Sequence, residues 1–129
     1  MNKPQLKPVV WIGSSREDLR DLPGRVQDKV GTALQEVQYG SRPAAVKTLS
    51  GFSGASVLEI KVNDDGSTYR AVYTVQFADY IFVLHTFQKK SSHGSETSKQ
   101  DGDMIRARLK LAESRYEELV AQQRREREQ

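Results

Sequence analysis

The sequence predicts an α+β domain in which an antiparallel sheet is accompanied by two N-terminal helices and one C-terminal helix. Apolar residues recur at steps of three or four over residues 19–37 and again over 105–119, which is the period of an amphipathic helix. Three segments between residues 57 and 87 instead carry the short apolar runs and the alternation typical of strands. Short turns join these segments, so we expect them to pair as an antiparallel meander.

The N-terminal part predicts one strand followed by two helices. The apolar run over residues 9–12 indicates a short buried strand, and Ser14 stands three residues before Glu17, the spacing of a capping box at a helix start. Pro23 fits the first position of the second helix, where its missing N–H costs nothing. This helix is expected to end near residues 39–40. The helical apolar positions are Leu19, Leu22, Val26, Val30, Ala33 and Val37.

The middle of the chain predicts the sheet. Residues 41–56 are rich in Gly and Ser and are predicted to be a connector. The strands that follow are expected in the segments VLEIKV, TYRAVYTV and YIFVLHTF. Residues 64–66, with the sequence Asp-Asp-Gly, are expected to make the first turn, and residues 78–79 lie at the second.

The C-terminal part predicts one helix that packs on the sheet. The segment SKQD resembles a capping box at the helix start, and one helix face carries Ile105, Leu109, Ala112, Tyr116 and Leu119. Residues 122–129 lack an apolar face and are expected to form a charged, frayed tail. We therefore expect a single domain over residues 1–129 with a core of about residues 7–121.

The amino-acid composition excludes several kinds of site and several classes of protein. The chain has no cysteine, which excludes a disulfide framework and a thiolate metal site. It shows neither the apolar core of a signal peptide nor a run near the roughly 20 residues that span a bilayer, so we expect a cytoplasmic protein without a membrane role. A net charge of +3 tolerates a polyanionic partner without demonstrating one.

Three motifs carry a family resemblance. WIGSSREDLRDLP, LEIKV followed by YRAVY, and above all VLHTFQKKS resemble the phage-derived branch of the RelE/HigB toxin family, over about residues 7–116. The family consists of ribosome-dependent mRNA endonucleases of type II toxin–antitoxin pairs. The resemblance implies a RelE-like fold, an antitoxin partner with a helix-turn-helix domain, contact with ribosome and mRNA, and metal-free attack by the RNA 2′-hydroxyl without any cofactor.

Arg70 is the first candidate for a catalytic residue. Alternation places it on one side of its strand with Thr68, Val72 and Thr74, opposite Tyr69, Ala71, Tyr73 and Val75. A salt bridge to Glu59 across the sheet would satisfy a buried arginine. The resemblance instead implies a phosphate clamp, for which the fork of guanidinium donors is suited.

Lys89 and Lys90 are the next candidates. They follow the last predicted strand directly, and alternation sends them to opposite sides of the sheet. Lysine pairs commonly end strands in solvent. The resemblance implies that basic residues at this place contact the scissile phosphate, and it does not choose between the two lysines.

Both histidines of the chain lie near this strand end. Alternation places His85 on the side of Ile81, Val83 and Phe87, which suits either a core histidine with a backbone hydrogen bond or a catalytic group. His93 lies in the segment SSHGS, where an exposed imidazole could transfer a proton.

Two further lysines are candidates for RNA binding. Lys61 is the nearest counterpart to a strand lysine of the family, whereas Glu59 stands where some RelE toxins have lysine. Residues 85–99 hold three lysines against one acidic residue, and Lys99, the last of them, is predicted with Lys61 to contact RNA.

The favoured interpretation is a toxin that cleaves mRNA on the ribosome. A non-catalytic RelE-fold module that binds RNA, DNA or a protein is the alternative from another class, supported by the lack of a convincing acid–base pair. The gyrase-poisoning branch of the same fold is a third possibility.

Overall fold

The computed structural model describes residues 6–52, 54, 56–89 and 97–128, and it confirms the α+β class. The elements are β1 (Val9–Trp11), α1 (Ser15–Arg20), α2 (Gly24–Gln38), β2 (Val46–Thr48), β3 (Val57–Asp64), β4 (Ser67–Thr74), β5 (Ile81–Lys89) and α3 (Lys99–Arg127). Among the helices of this described part, none is both long and apolar enough to cross a membrane.

The five strands form one sheet in the order β1-β5-β4-β3-β2. Strands β3, β4 and β5 pair antiparallel, which confirms the predicted meander. The sheet as a whole is mixed, because β1 pairs parallel to β5. Two helices separate β1 from the meander, and such a long connection permits parallel pairing. Strand β2 lies inside the predicted connector and was missed, because only three residues form it.

The turn between β3 and β4 is the predicted one. Asp64 pairs with Ser67, so Asp65 and Gly66 form a two-residue loop. Their φ angles are 49° and 80°. A type I′ turn needs positive φ at both central positions, and the Asp-Gly sequence tolerates them with little strain. This turn fixes the register of β4 against β3.

The sheet separates two apolar cores. The first core contacts α1 and α2 and includes the alternating residues Leu58, Ile60, Val62, Tyr69, Ala71, Tyr73, Ile81 and Val83. The second core contacts α3 and includes Val57, Val72, Phe82, Leu84, Ile105 and Ala112, with Leu109, Tyr116 and Leu119 packed against it. The predicted faces of the C-terminal helix and of the strand that carries Arg70 are therefore confirmed.

The helices begin near the residues that the sequence predicts, but the predicted capping hydrogen bonds are not all present. Ser14 is the N-cap of α1, yet its hydroxyl makes no capping bond. The hydroxyl instead donates to the Asp18 carboxylate and accepts from Arg108. Pro23 is the N-cap of α2 rather than its first residue. Ser98 caps α3 as expected, because its Oγ accepts the amide of Asp101.

The C-terminal helix is longer than the core it covers. It continues to Arg127, through the segment for which the sequence predicts a frayed tail. The apolar residues of this helix that pack on the sheet end at Leu119. Near its end, Gln123 donates a hydrogen bond of 2.6 Å to the hydroxyl of Tyr80.

A β-bulge interrupts the pairing of β4 with β5. Tyr73 lies opposite Val83, but Val72 lies opposite His85, so Leu84 is an extra residue in β5. A bulge breaks the alternation of sides. The prediction that His85 shares a side with Val83 is therefore wrong, and His85 shares the α3 side of the sheet with Val72 instead.

Candidate functional site

Four cationic side chains lie on the same side of the sheet as α3. Residues directly opposite each other in a sheet point to the same side. The register places Lys47 opposite Glu59, Lys61 opposite Arg70, and Arg70 opposite Phe87 in the next strand. Lys89 follows on the same side, opposite Thr68. The cationic cluster, as we name Lys47, Lys61, Arg70 and Lys89, is thus drawn from four different strands.

A buried ion pair lies at the base of this cluster. The Nη1 of Arg70 lies 3.0 Å from Oε2 of Glu59, and the two side chains are 2% and 0% exposed. Nζ of Lys47 lies 3.9 Å from Oε1 of the same carboxylate. The salt bridge considered from the sequence is therefore present. It orients the guanidinium and leaves the cluster with more cations than carboxylates.

A cleft of about 610 Å³ opens beside Arg70. Its lining includes Arg70, His85, Phe87, Lys89, Ser98 and Asp101, drawn from β4, β5 and the start of α3. The cleft continues to Asp18 and Asp21 at the end of α1. Arg70 is thus in contact with the cleft although little of its side chain is exposed.

The surroundings of Lys89 lower the pKa of its side chain. Burial lowers its pKa from the ordinary value, and the positive charge of Arg70 lowers it further. Lys47 and Lys61 act in the same direction, while Glu59 opposes them. A lowered pKa makes a lysine a better proton donor near neutral pH. Lys90, the other candidate of the pair, lies outside the described residues.

His85 is held between a strand and a helix. Its Nε2 lies 2.8 Å from Oδ1 of Asp101, and its ring stacks on Phe87 at 4.3 Å between centroids. Ser98 donates to the second oxygen of Asp101 at 2.8 Å. The contact of His85 Nε2 is therefore with a carboxylate rather than with the backbone group that one of the two alternatives expected, and this carboxylate fixes the imidazole ring. His93, the second histidine, lies outside the described residues.

A second cleft of about 450 Å³ lies on the other side of the α3 start. Lys47, Lys99 and Arg106 line it, together with the buried ring of Phe52. The guanidinium of Arg106 lies 5.2 Å from the centre of that ring. Lys99 therefore does not line the first cleft. Thr97 and Ser98 line both clefts and form the wall between them.

Two cations of these clefts were missed from the sequence. Lys47 joins the cluster only because β2 pairs with β3, and the three-residue β2 gives little sequence signal. Arg106 lies seven residues after Lys99 on α3, a helical spacing that places both on one face and could have indicated the second cleft. Among the described residues, His, Asp and Glu form no group of three able to hold a metal ion.

Comparisons with known proteins place these features in context. The family model of phage-derived Gp49-like proteins matches residues 17–110. One similar solved structure is a chain from the toxin–antitoxin complex RelBE2 of Mycobacterium tuberculosis. The match has 21% identity and a TM-score of 0.41, and it covers 70% of this chain and 100% of that one. No curated protein matches the sequence.

Proposed function

The chain belongs to the phage-derived Gp49-like family, and from that premise we propose that it is the toxin of a type II toxin–antitoxin pair that cleaves mRNA on the ribosome. The observation that carries the proposal is the convergence of the cationic cluster on one side of the sheet, with Arg70 and Lys89 lining a cleft. The RelE/HigB resemblance of the motifs around these residues supports the same assignment.

Cleavage of RNA by its own 2′-hydroxyl needs positive charge near the phosphate and does not require a metal ion. When the 2′-hydroxyl of RNA attacks the adjacent phosphate, its proton passes to a base, for which His93 is a candidate, and the 2′-oxygen forms a bond to phosphorus. The bond from phosphorus to the 5′-oxygen breaks, so negative charge develops on the phosphoryl oxygens and then on the leaving 5′-oxygen. We assign the contact with the phosphoryl oxygens to Arg70, whose guanidinium is oriented by Glu59. We assign protonation of the leaving oxygen to Lys89, whose pKa is lowered by its surroundings. The proposal needs no cofactor.

The remaining predicted residues take supporting roles in this proposal. Lys61 and Lys47 hold phosphates that flank the scissile one, and Lys99 extends the RNA contact into the second cleft. His85, fixed by Asp101, shapes the wall of the cleft beside Lys89. Lys90 and His93 stay candidates for phosphate contact and proton transfer. The proposed partner in the inactive state is an antitoxin with a helix-turn-helix domain.

The test is cleavage by the purified chain on programmed ribosomes. We expect breaks in the translated message, with a 2′,3′-cyclic phosphate and a 5′-hydroxyl at the new ends. The same message without ribosomes is the control and should stay intact. Intact message on ribosomes at high protein concentration would contradict the proposal.

A non-catalytic RNA-binding module is the second candidate. The observation that favours it is the burial of Arg70, which already has a carboxylate partner. In that case the chain should bind ribosomes or RNA with a strong salt dependence and leave no breaks. The cleavage assay and a binding assay on the same samples separate the two functions.

A further inference from the structure

Arg108 of α3 is a buried arginine that contacts neither of the clefts. Its side chain is largely enclosed, with the residue 8% exposed. Its Nη1 donates a hydrogen bond of 2.9 Å to the backbone carbonyl of Leu84. Its Nη2 donates one of 2.9 Å to the hydroxyl of Ser14. The guanidinium therefore joins the C-terminal helix to β5 and to the N-terminal part of the chain.

The acceptor in β5 is the bulge residue itself. An extra residue in a strand leaves the ladder, so its backbone groups need another partner. A buried carbonyl without a partner destabilises the folded state. Arg108 supplies that partner from the α3 side. On the opposite side, Thr86 Oγ1 donates to the Ser15 carbonyl at 2.7 Å, so the strand is held from both faces of the sheet.

The room for Arg108 comes from Gly13. A Cβ atom built at Gly13 would lie 2.7 Å from Nε of Arg108, closer than real Cβ contacts. The φ angle of Gly13 is +57°, a backbone conformation that residues with a side chain rarely adopt. The loop after β1 is thus shaped to admit the guanidinium.

The bulge decides which side chains of β5 face the cationic cluster. After it, His85, Phe87 and Lys89 lie opposite Val72, Arg70 and Thr68 on the α3 side. With uninterrupted alternation from Val83, the residues on that side would be Thr86 and Gln88. Lys89 would then lie on the opposite side of the sheet from Arg70.

We propose that Arg108 is a positioning residue for RNA cleavage, because it holds the Leu84 bulge and thereby keeps Lys89 and His85 on the side of Arg70. The assignment rests on the proposed function only where it concerns cleavage. The part that concerns strand register stands on the geometry alone. Arg108 itself touches no reacting atom in this proposal.

The first measurement is strand register by NMR. Arg108→Met keeps the apolar stem and removes both hydrogen bonds. In this variant we expect the cross-strand contacts Val72–His85 and Arg70–Phe87 to weaken or split into two sets, while Tyr73–Val83 persists. Arg108→Lys should retain the parent pattern in part, since one ammonium still reaches the carbonyl. Arg115→Met, an exposed arginine on the same helix, is the matched control and should change nothing.

The second measurement is single-turnover cleavage on ribosomes. A misplaced reacting group costs on the order of a hundredfold in rate, so Arg108→Met should lower the single-turnover rate constant at saturating protein by about that factor, with the half-saturating protein concentration nearly unchanged. Arg108→Lys should recover part of the loss. If Arg108→Met does not fold, Ser14→Ala removes one of the two bonds and should give a smaller effect of the same kind.

The outcomes are distinguishable. Unchanged register in Arg108→Met would overturn the positioning role, whether or not the rate falls. Altered register with an unchanged rate would also overturn it, because cleavage would then not depend on which side Lys89 occupies. If the parent chain does not cleave RNA, the proposed function fails, and the NMR arm still decides whether Arg108 sets the register.

Discussion

Arg70 and Glu59 form a buried ion pair at 3.0 Å, and this contact determines how the role of Arg70 can be measured. Removing one member of a buried pair leaves an uncompensated charge, which typically costs about 3–5 kcal/mol. Loss of activity in a single Arg70 variant would therefore mix a folding defect with a catalytic one. Replacing both members by apolar residues avoids this problem.

The first prediction concerns that double replacement. Arg70→Ala should lower the free energy of unfolding by about 3–5 kcal/mol, whereas Glu59→Leu combined with Arg70→Met should stay near the parent value. Urea denaturation measures both. The double variant should nevertheless fail to cleave ribosome-bound message. Cleavage at the parent rate by this stable double variant would show that Arg70 serves the fold alone.

The second prediction is that Lys89→Gln stabilises the fold while it removes activity. The pKa of Lys89 is lowered in the folded chain, so between that value and the ordinary 10.5 the unfolded chain holds more protons. Stability of the parent therefore rises with pH across this window. Lys89→Gln should be more stable than the parent at pH 7, and the difference should shrink as pH approaches 10.5.

Thermal unfolding at several pH values measures this difference. Lys110→Gln, on the exposed side of α3, is the matched control and should show no such convergence. A Lys89→Gln variant that is less stable than the parent at neutral pH would contradict the electrostatic account.

The third prediction concerns Tyr73, which is 2% exposed beneath α2 in the first core. Burial raises the pKa of Tyr73 to about 12 from 10.0, although Arg42 opposes the shift. The folded chain holds this proton more tightly, so the contribution to stability is complete below pH 10 and is lost as pH rises through about 12. Tyr73→Phe should remove this alkaline loss.

The readout is the slope of unfolding free energy against pH, because a change in packing shifts the whole curve without changing its slope, whereas loss of the titrating hydroxyl changes the slope. Tyr39→Phe, at an exposed tyrosine, is the control and should keep the parent slope. An unchanged alkaline slope in Tyr73→Phe would exclude Tyr73 as its source.

The fourth prediction tests the second cleft as an RNA contact. Lys99→Gln and Arg106→Gln each remove one cation from the cleft. If each contacts a phosphate, each substitution should reduce the salt dependence of RNA binding by about one unit of slope. Lys110→Gln should leave the slope unchanged. Equal slopes for all three variants would show that RNA bypasses this cleft.

The helices and strands could be predicted from the sequence more accurately than the hydrogen bonds at their ends and irregularities. Periodicity located the helices and the meander because burial on one face dictates these patterns. The side of His85 could not be predicted, since the bulge before it depends on contacts between distant segments, such as the hydrogen bond from Arg108 to the Leu84 carbonyl, 24 residues away along the chain. The cap at Ser14 failed for the same reason, because a distant arginine occupies the hydroxyl.

The candidate site was also predictable in part. Alternation placed Arg70 correctly, and a salt bridge to Glu59 was the alternative to the favoured phosphate clamp, because a buried arginine needs a partner. Lys47 was not recognised, because its place depends on the short edge strand β2. Lys99 lines a different cleft from Lys89, since the α3 start separates them. Pairing between distant segments decides these positions, and periodicity within one segment does not encode it.

The position of β5 has a consequence for synthesis of the chain. This strand lies between β1 and β4, so within the described part of the chain the N-terminal strand has no sheet partner until residues 81–83 exist. The bond from Arg108 to Ser14 spans 94 residues, and the bond from Ser15 to Val83 spans 68. Contacts so distant in sequence form late during translation. Because residues at the start of α3 line the first cleft, a nascent chain cannot assemble this cleft until the C-terminal helix has emerged from the ribosome.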